Sequence, residues 1–127
     1  MDKFRFLNWK VYKDSRELFS FVLKIVKKLP KEFRFELGSQ IIRSAFSVTL
    51  NIAEGSGKAS DKELNHFFNI AHGSIYETLA AIDVFRYNKL ISEDDFQTVL
   101  KMIHGIGNQL GGFQKKLKGL WVISFKL

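Results

Sequence analysis

The sequence predicts an all-α fold, an antiparallel up-down-up-down four-helix bundle in a single domain. Four rows of apolar residues recur at three- and four-residue steps, which is the spacing of one helix face. The rows are separated by short breaks, and no strand-rich block precedes residue 119. With 127 residues the chain is long enough for one domain with a core of its own.

The first two rows share a boundary at Pro30. Leu7, Val11, Leu18, Val22, Val26 and Leu29 form the first row. The only proline of the chain cannot continue a helix, so helix 1 should end just before it. The second row comprises Leu37, Ile41, Ala45, Val48 and Ile52. It should end at Gly55 or Gly57, because glycine adopts the left-handed capping conformation at little cost.

The third and fourth rows are separated by "RYNKLIS". The third comprises Leu64, Phe67, Ala71, Ser74 or Ile75, Thr78, Ile82 and Phe85. Asn88 is suited to a left-handed helix end and Ser92 to the N-cap of the next helix. The fourth row, the most regular, comprises Phe96, Val99, Ile103, Ile106, Leu110, Phe113 and Leu117. The bundle should therefore occupy residues 1–118, with 119–127 as an apolar, strand-like C-terminal tail.

Helix 4 also contains four glycines that an ideal bundle would avoid. These are Gly105, Gly107, Gly111 and Gly112. Each costs about 1 kcal/mol relative to alanine within a helix. They indicate either a close approach of another helix or subunit, or a softened helix.

Charge is distributed unevenly along this basic chain. The formal net charge is +7, with basic excesses in residues 1–35 and 96–127 and an acidic excess in 36–95. In an up-down-up-down bundle helices 1 and 4 are neighbours, so the two basic ends would form one face. Such a face attracts nucleic acid or an acidic protein; alternatively, the lysines only keep a small protein soluble.

Composition excludes several classes of function. The chain has no cysteine, which excludes thiolate catalysis, disulfides and Cys-based metal sites. The N-terminus lacks the apolar run of a signal peptide, and no stretch approaches a membrane span. We therefore expect a soluble, cytoplasmic protein that does not contact a membrane.

The stretch "NIAEGSGKAS", residues 51–60, invites comparison with a phosphate-binding loop. A Walker loop requires G-x-x-x-x-G-K-[ST] between a strand and a helix. Here the two glycines are too close together, Ala59 follows Lys58, and a helix precedes the loop. "SDKE" instead fits a capping box, in which Ser60 and Glu63 bond each other's backbone amides. The stretch therefore predicts a helix corner.

No metal or catalytic site is predicted. "ELNH" places Glu63 and His66 at a di-iron spacing, but the second Glu-x-x-His that such a site requires is missing. The serines near the core rows lack a base and oxyanion donors, so they should serve packing. Catalytic residues, metal ligands and cofactors are all expected to be absent.

Three polar residues near the core rows of helices 2 and 3 need an explanation. Asn51, Glu54 and Glu77 must be paired if they are buried. They either form a polar network that fixes the register of the two helices, or they recognise a partner.

The segment 51–77 resembles the small four-helix-bundle proteins encoded in intervening sequences of bacterial 23S rRNA genes. The family pattern reads N-I-A-E-G, a basic residue, S-x-x-E, F, I-A-x-G-S and E. In this sequence it falls on Asn51 to Gly55, Lys58, Ser60, Glu63, Phe67 or Phe68, Ile70-Ala71, Gly73-Ser74 and Glu77. Upstream, Gln40 and Arg43 in "FRFELGSQIIRSA" and the run "VYKDSREL" also match, so the likeness spans about residues 4–118. "VTL" at 48–50 and the tail depart from the pattern.

The resemblance implies a ring-shaped homo-oligomer, a pentamer, without established enzymatic activity. A related bundle, the accessory protein of diversity-generating retroelements, binds nucleic acid. We therefore expect a non-enzymatic protein that binds RNA or DNA through helices 1 and 4. The expected contacts are Lys10, Lys13, Lys24, Lys27, Lys28, Lys101, Lys115, Lys116 and Lys118. The alternatives are a scaffold for an acidic protein and, less favoured, an enzyme acting at residues 54–63.

Overall fold

The computed structural model describes residues 3–126, with side chains described for residues 3–117. A 3-10 turn, Arg5–Asn8, precedes four helices: α1 (Lys10–Lys28), α2 (Lys31–Ser56), α3 (Asp61–Tyr87) and α4 (Glu93–Lys126). No strand occurs among the described residues. The all-α class and the four helices predicted from the sequence are confirmed.

The helices pack cyclically, so that each contacts two others. α1 lies against α2, α2 against α3, α3 against α4, and α4 against α1. The apolar rows meet in the centre, where Leu18, Ile41, Phe68 and Ile106 are fully buried. This arrangement fixes which surfaces remain outside, since every helix presents its polar face to solvent.

Helix boundaries follow the predicted signals in two places. α1 ends at Lys28 and α2 begins at Lys31, on either side of Pro30. α4 begins after Ser92, whose hydroxyl accepts a 3.0 Å hydrogen bond from the Asp95 amide. Both boundaries depend on local chemistry, a missing N–H in one case and an N-cap in the other.

The left-handed helix ends were predicted at the wrong residues. Gly57 caps α2 with φ −90°, and no glycine among the described residues has a positive φ. At the end of α3, Asn88 has φ −88°, whereas Lys89 has φ 60°. The Lys89 and Leu90 amides donate to the Arg86 and Phe85 carbonyls, which is a Schellman end with Lys89 at the left-handed position. The predicted left-handed residue at the end of α3 was therefore one position too early.

Two apolar segments also differ from expectation. Leu7 belongs to the 3-10 turn and is 46% exposed, so it is not a core member of α1. The backbone of α4 stays helical through the segment 119–127 as far as Lys126, where the sequence suggested a strand-like tail. The side chains of that segment lie outside the described residues, so its packing stays a prediction.

Candidate functional site

The two basic helices, α1 and α4, are joined by contacts near both ends of α1. The Lys28 ammonium lies 3.0 Å from a carboxylate oxygen of Asp95 at the end of α1. Near its start, the side-chain amide of Gln109 donates a 2.7 Å hydrogen bond to Asp14. We call the exposed side of this helix pair the α1–α4 surface.

Eight of the nine predicted lysines have described side chains, and all eight are exposed. Lys10 and Lys28 form ion pairs, with Asp14 and Asp95 respectively. The remaining six have no ion pair with any described residue: Lys13, Lys24, Lys27, Lys101, Lys115 and Lys116. The side chain of Lys118 lies outside the described part. Two of the predicted contacts thus carry a charge that is already compensated.

Asp14 is the acidic group whose electrostatics are most affected by this surface. Burial raises the pKa of Asp14, but hydrogen bonds from Lys10 and Gln109 and the positive charge of Lys10 outweigh it. The net result is that the pKa of Asp14 is lowered. This carboxylate therefore remains charged and anchors α4 to α1.

The cations of the α1–α4 surface extend along the whole of α1. Lys10 and Lys28 are the first and last residues of that helix, which at 1.5 Å per residue places them about 27 Å apart along its axis. Lys116 lies beside Lys10, since both line one groove. Beyond Asp95, α4 contains no acidic residue. Lys115, by contrast, lines a groove with Asn65 and Asn69 of α3, so it lies outside this surface. The remaining cations form an elongated basic track rather than a single compact cluster.

An aromatic groove opens between the start of α1 and the later turns of α4. Trp9 and Phe113 lie in its wall, with ring centroids 5.6 Å apart. The glycines of α4 were evident in the sequence, but this groove was not predicted from it. Trp9 lies outside the apolar rows. The one sequence signal for the groove was therefore the position of this aromatic residue next to the basic Lys10.

The corner at residues 51–60 is a helix end followed by an N-cap, as predicted. α2 ends at Ser56, and the Ser60 hydroxyl accepts a 3.1 Å hydrogen bond from the Glu63 amide. The reciprocal bond from the Glu63 side chain is not formed within the described residues, so only half of the capping box is present. Gly55 has a packing role here: a Cβ at this position would lie 3.1 Å from the Phe67 Cβ.

The polar residues of α2 and α3 fall into two groups. Asn51 belongs to a network: its amide donates to the Ser47 hydroxyl at 3.0 Å, and the Ser74 hydroxyl donates to the same oxygen at 2.8 Å. One turn away, the Ser44 and Thr78 hydroxyls lie 2.8 Å apart in the core. These bonds tie α2 to α3, as one of the two explanations of Asn51 required.

The other motif residues are on the outside. Glu54 is exposed, 3.9 Å from Lys58, while Gln40 accepts a 2.7 Å hydrogen bond from Arg43. Glu77 and Gly73 are also exposed, and a Cβ on Gly73 would meet nothing within 4 Å. The packing of a single chain therefore explains Asn51 and Gly55, but not these exposed positions.

The described residues contain neither a candidate metal site nor a candidate membrane span. No group of three or more His, Cys, Asp or Glu side chains within residues 3–117 is arranged to hold a metal ion. None of the helices, over their described residues, has an apolar stretch long enough to cross a membrane.

Comparisons with known proteins agree with this architecture. The family model of the 23S rRNA-intervening sequence protein matches residues 8–112. No curated protein matches the sequence significantly. A crystal structure of a protein of unknown function from the S23 ribosomal protein family of Bacteroides thetaiotaomicron superposes with a TM-score of 0.77 at 23% identity, covering 83% of this chain and 98% of that one. At that identity the likeness supports the fold alone. The family match covers most of the chain, and we conclude that this protein belongs to the 23S rRNA-intervening sequence protein family.

Proposed function

We propose that this protein is a non-enzymatic helical bundle that binds RNA or DNA through phosphate contacts on its α1–α4 surface. The observation that carries the proposal is that five exposed lysines of α1 and α4 have no ion-pair partner among the described residues: Lys13, Lys24, Lys27, Lys101 and Lys116. A lysine that neutralises a phosphate releases a counterion condensed on the nucleic acid, which favours binding without sequence preference.

Up-down-up-down order of the helices is part of this proposal. It is supported by the two hydroxyl pairs between α2 and α3: Ser44 lies beside Thr78, whereas Ser47, further along α2, lies beside the earlier Ser74. The Lys28–Asp95 and Asp14–Gln109 contacts have the same reversed order between α1 and α4. Opposite directions of neighbouring helices would account for both sets.

Assembly into a ring-shaped homo-oligomer, a pentamer, is the second part of the proposal. Its support is the resemblance described above together with exposed apolar side chains outside the basic track. Phe35 and Tyr87 are 83% and 85% exposed. Tyr76 and Val84 are also exposed and lie on α3, as does Tyr87. A ring would repeat the basic track in every subunit, and several weak contacts on one nucleic acid would then reinforce each other.

Salt dependence tests the phosphate contacts. If the five unpaired lysines of this surface contact duplex phosphates, log K should fall with log salt with a slope of about −4.5 per bound protomer. Replacement of Lys13 and Lys116 by alanine should make that slope shallower by about 2. Fluorescence anisotropy with labelled RNA and DNA duplexes between 50 and 300 mM salt, as is usual in such titrations, measures both.

Lys62 provides the control, because it is exposed and belongs to α3 rather than to α1 or α4. Lys62→Ala should leave affinity and slope unchanged. Absence of binding at low salt would refute the proposal, as would an equal loss in the control variant. Native mass spectrometry of the same preparation determines the number of subunits, and a monomer would refute the ring.

A protein scaffold is the second candidate function, favoured by one observation. Phe35, the most exposed phenylalanine among the described side chains, lines a groove together with the cationic Lys31 and Arg34. An acidic protein carrying an apolar residue would complement that combination. A pull-down after nuclease treatment distinguishes the two functions, since a single partner retained at stoichiometric amounts would favour the scaffold.

A further inference from the structure

The groove between Trp9 and Phe113 has features that phosphate contacts alone do not require. Its volume is about 410 Å³, which lies within the usual range for small-molecule sites. The wall combines the two aromatic rings with the amides of Asn108 and Gln109. A site that only neutralised phosphates would need neither flat apolar surfaces nor neutral hydrogen-bonding groups.

Each ring of the aromatic pair has a further contact that holds it in place. The Trp9 and Phe113 rings are inclined by 39°, and Phe113 packs edge-on against the fully buried Phe68 at 5.2 Å. The Arg5 guanidinium lies 5.8 Å from the Trp9 ring centroid. Trp9 itself is only half-buried. A fixed, partly exposed aromatic pair of this kind is suited to stacking against another flat ring.

The charge around the groove selects an anionic ligand. Lys116, which has no ion pair with a described residue, lines it together with the ion-paired Lys10, and Arg5 lies over its tryptophan. The nearby carboxylate, Asp14, does not line the groove and already accepts hydrogen bonds from Lys10 and Gln109. A ligand with a flat base and an attached phosphate would stack against the rings through its base and pair with the cations through its phosphate.

Gly112 keeps this groove open. It lines the groove, and a Cβ built on it would have no neighbour within 4 Å. Close packing within the chain therefore gives no reason for a glycine, although glycine within a helix costs about 1 kcal/mol. Because Gly112 lines the groove, we expect a longer side chain at this position to occupy part of it.

We propose that the groove binds an unpaired nucleotide of single-stranded nucleic acid. The base stacks against Trp9 and Phe113, the amide of Asn108 faces its edge, and a flanking phosphate contacts Lys116. This inference rests on the proposed function and specifies it, because it adds a preference for single strands to a general affinity for phosphates.

The test compares Gly112→Leu with Gly105→Leu. Both glycines lie on α4 with open space around the missing side chain, but only Gly112 lines the groove. Binding is measured by anisotropy for a 12-nucleotide oligouridylate, a 12-nucleotide oligothymidylate and a 12-base-pair duplex, with thermal denaturation as the check of folding. Gly112→Leu should weaken binding of the single strands roughly ten-fold, the scale of one lost stacking contact. It should leave duplex binding unchanged, and Gly105→Leu should leave all three unchanged. The single strand that binds more tightly identifies the ligand as RNA or DNA.

A spectroscopic readout reports the stacking directly. In a Trp121→Phe background, Trp9 is the only tryptophan of the chain. Its fluorescence should be quenched by the oligothymidylate, but not by a strand of the same length with abasic sites. Equal quenching by both strands, or wild-type affinity of Gly112→Leu for both single strands, would overturn the inference while duplex binding still supported the proposed function. Failure of the wild-type protein to bind any of the three probes would overturn both.

Discussion

The substitution Gly38→Ala should destabilise the protein, although alanine is the better helix former. Gly38 is buried in α2 against α1, and a Cβ at this position would lie 2.7 Å from the Cγ1 of Val26. Helix propensity favours alanine by about 1 kcal/mol, whereas overpacking costs about 1 to 3 kcal/mol. We expect a net loss of about 1 kcal/mol in the free energy of unfolding. In contrast, Gly105→Ala, with open space around its Cβ, should gain about 1 kcal/mol.

Chemical denaturation followed by far-UV circular dichroism measures the difference, which should be about 2 kcal/mol between the two variants. A Val26→Ala background isolates the cause, since it removes the methyl groups that the new Cβ would meet. There, Gly38→Ala should become neutral or stabilising, because neighbouring substitutions are not additive when they share a contact. An equal loss in both backgrounds would refute the steric explanation, as would a Gly38→Ala variant that is more stable than wild type.

Two further predictions concern polar contacts between helices. Ser44→Ala and Thr78→Val should each lower the free energy of unfolding by about 1 kcal/mol, because each removes a buried hydroxyl of the pair linking α2 to α3. A double-mutant cycle should give a coupling energy of at least about 0.5 kcal/mol, and strict additivity of the two effects would contradict the hydrogen bond. Asp14→Asn should lower stability at neutral pH, since the lowered pKa of Asp14 contributes stability that is present above its unfolded pKa and lost as pH falls through its folded pKa. Denaturation of wild type and variant at several pH values should therefore show the difference shrinking below about pH 4, and a constant difference would exclude this linkage.

Local signals predicted most of the fold correctly. Pro30 marks the α1–α2 boundary, and Ser60 and Ser92 act as N-caps, because a missing amide donor and a capping hydroxyl act within one helical turn. The left-handed end of α3 was misplaced to Asn88, because the terminal hydrogen bonds, rather than residue preference, put Lys89 in that conformation.

The candidate site was less predictable, because its properties depend on residues distant in the sequence. Nothing in the sequence indicates that Lys28 is compensated by Asp95 while Lys24 is unpaired. Likewise, Trp9 and Phe113 come from opposite ends of the bundle sequence and form a groove only when α1 lies against α4.

The sequence by itself determined the helices, most members of the core and the concentration of positive charge at both ends of the chain. Each of these follows from composition or from spacing within a few residues, where hydrophobic periodicity and capping operate. Only the tertiary structure decided what the glycines of these helices do. Gly38 is required by a contact with Val26, whereas Gly112 leaves space open, and the difference is a matter of a few ångströms set by how neighbouring helices pack.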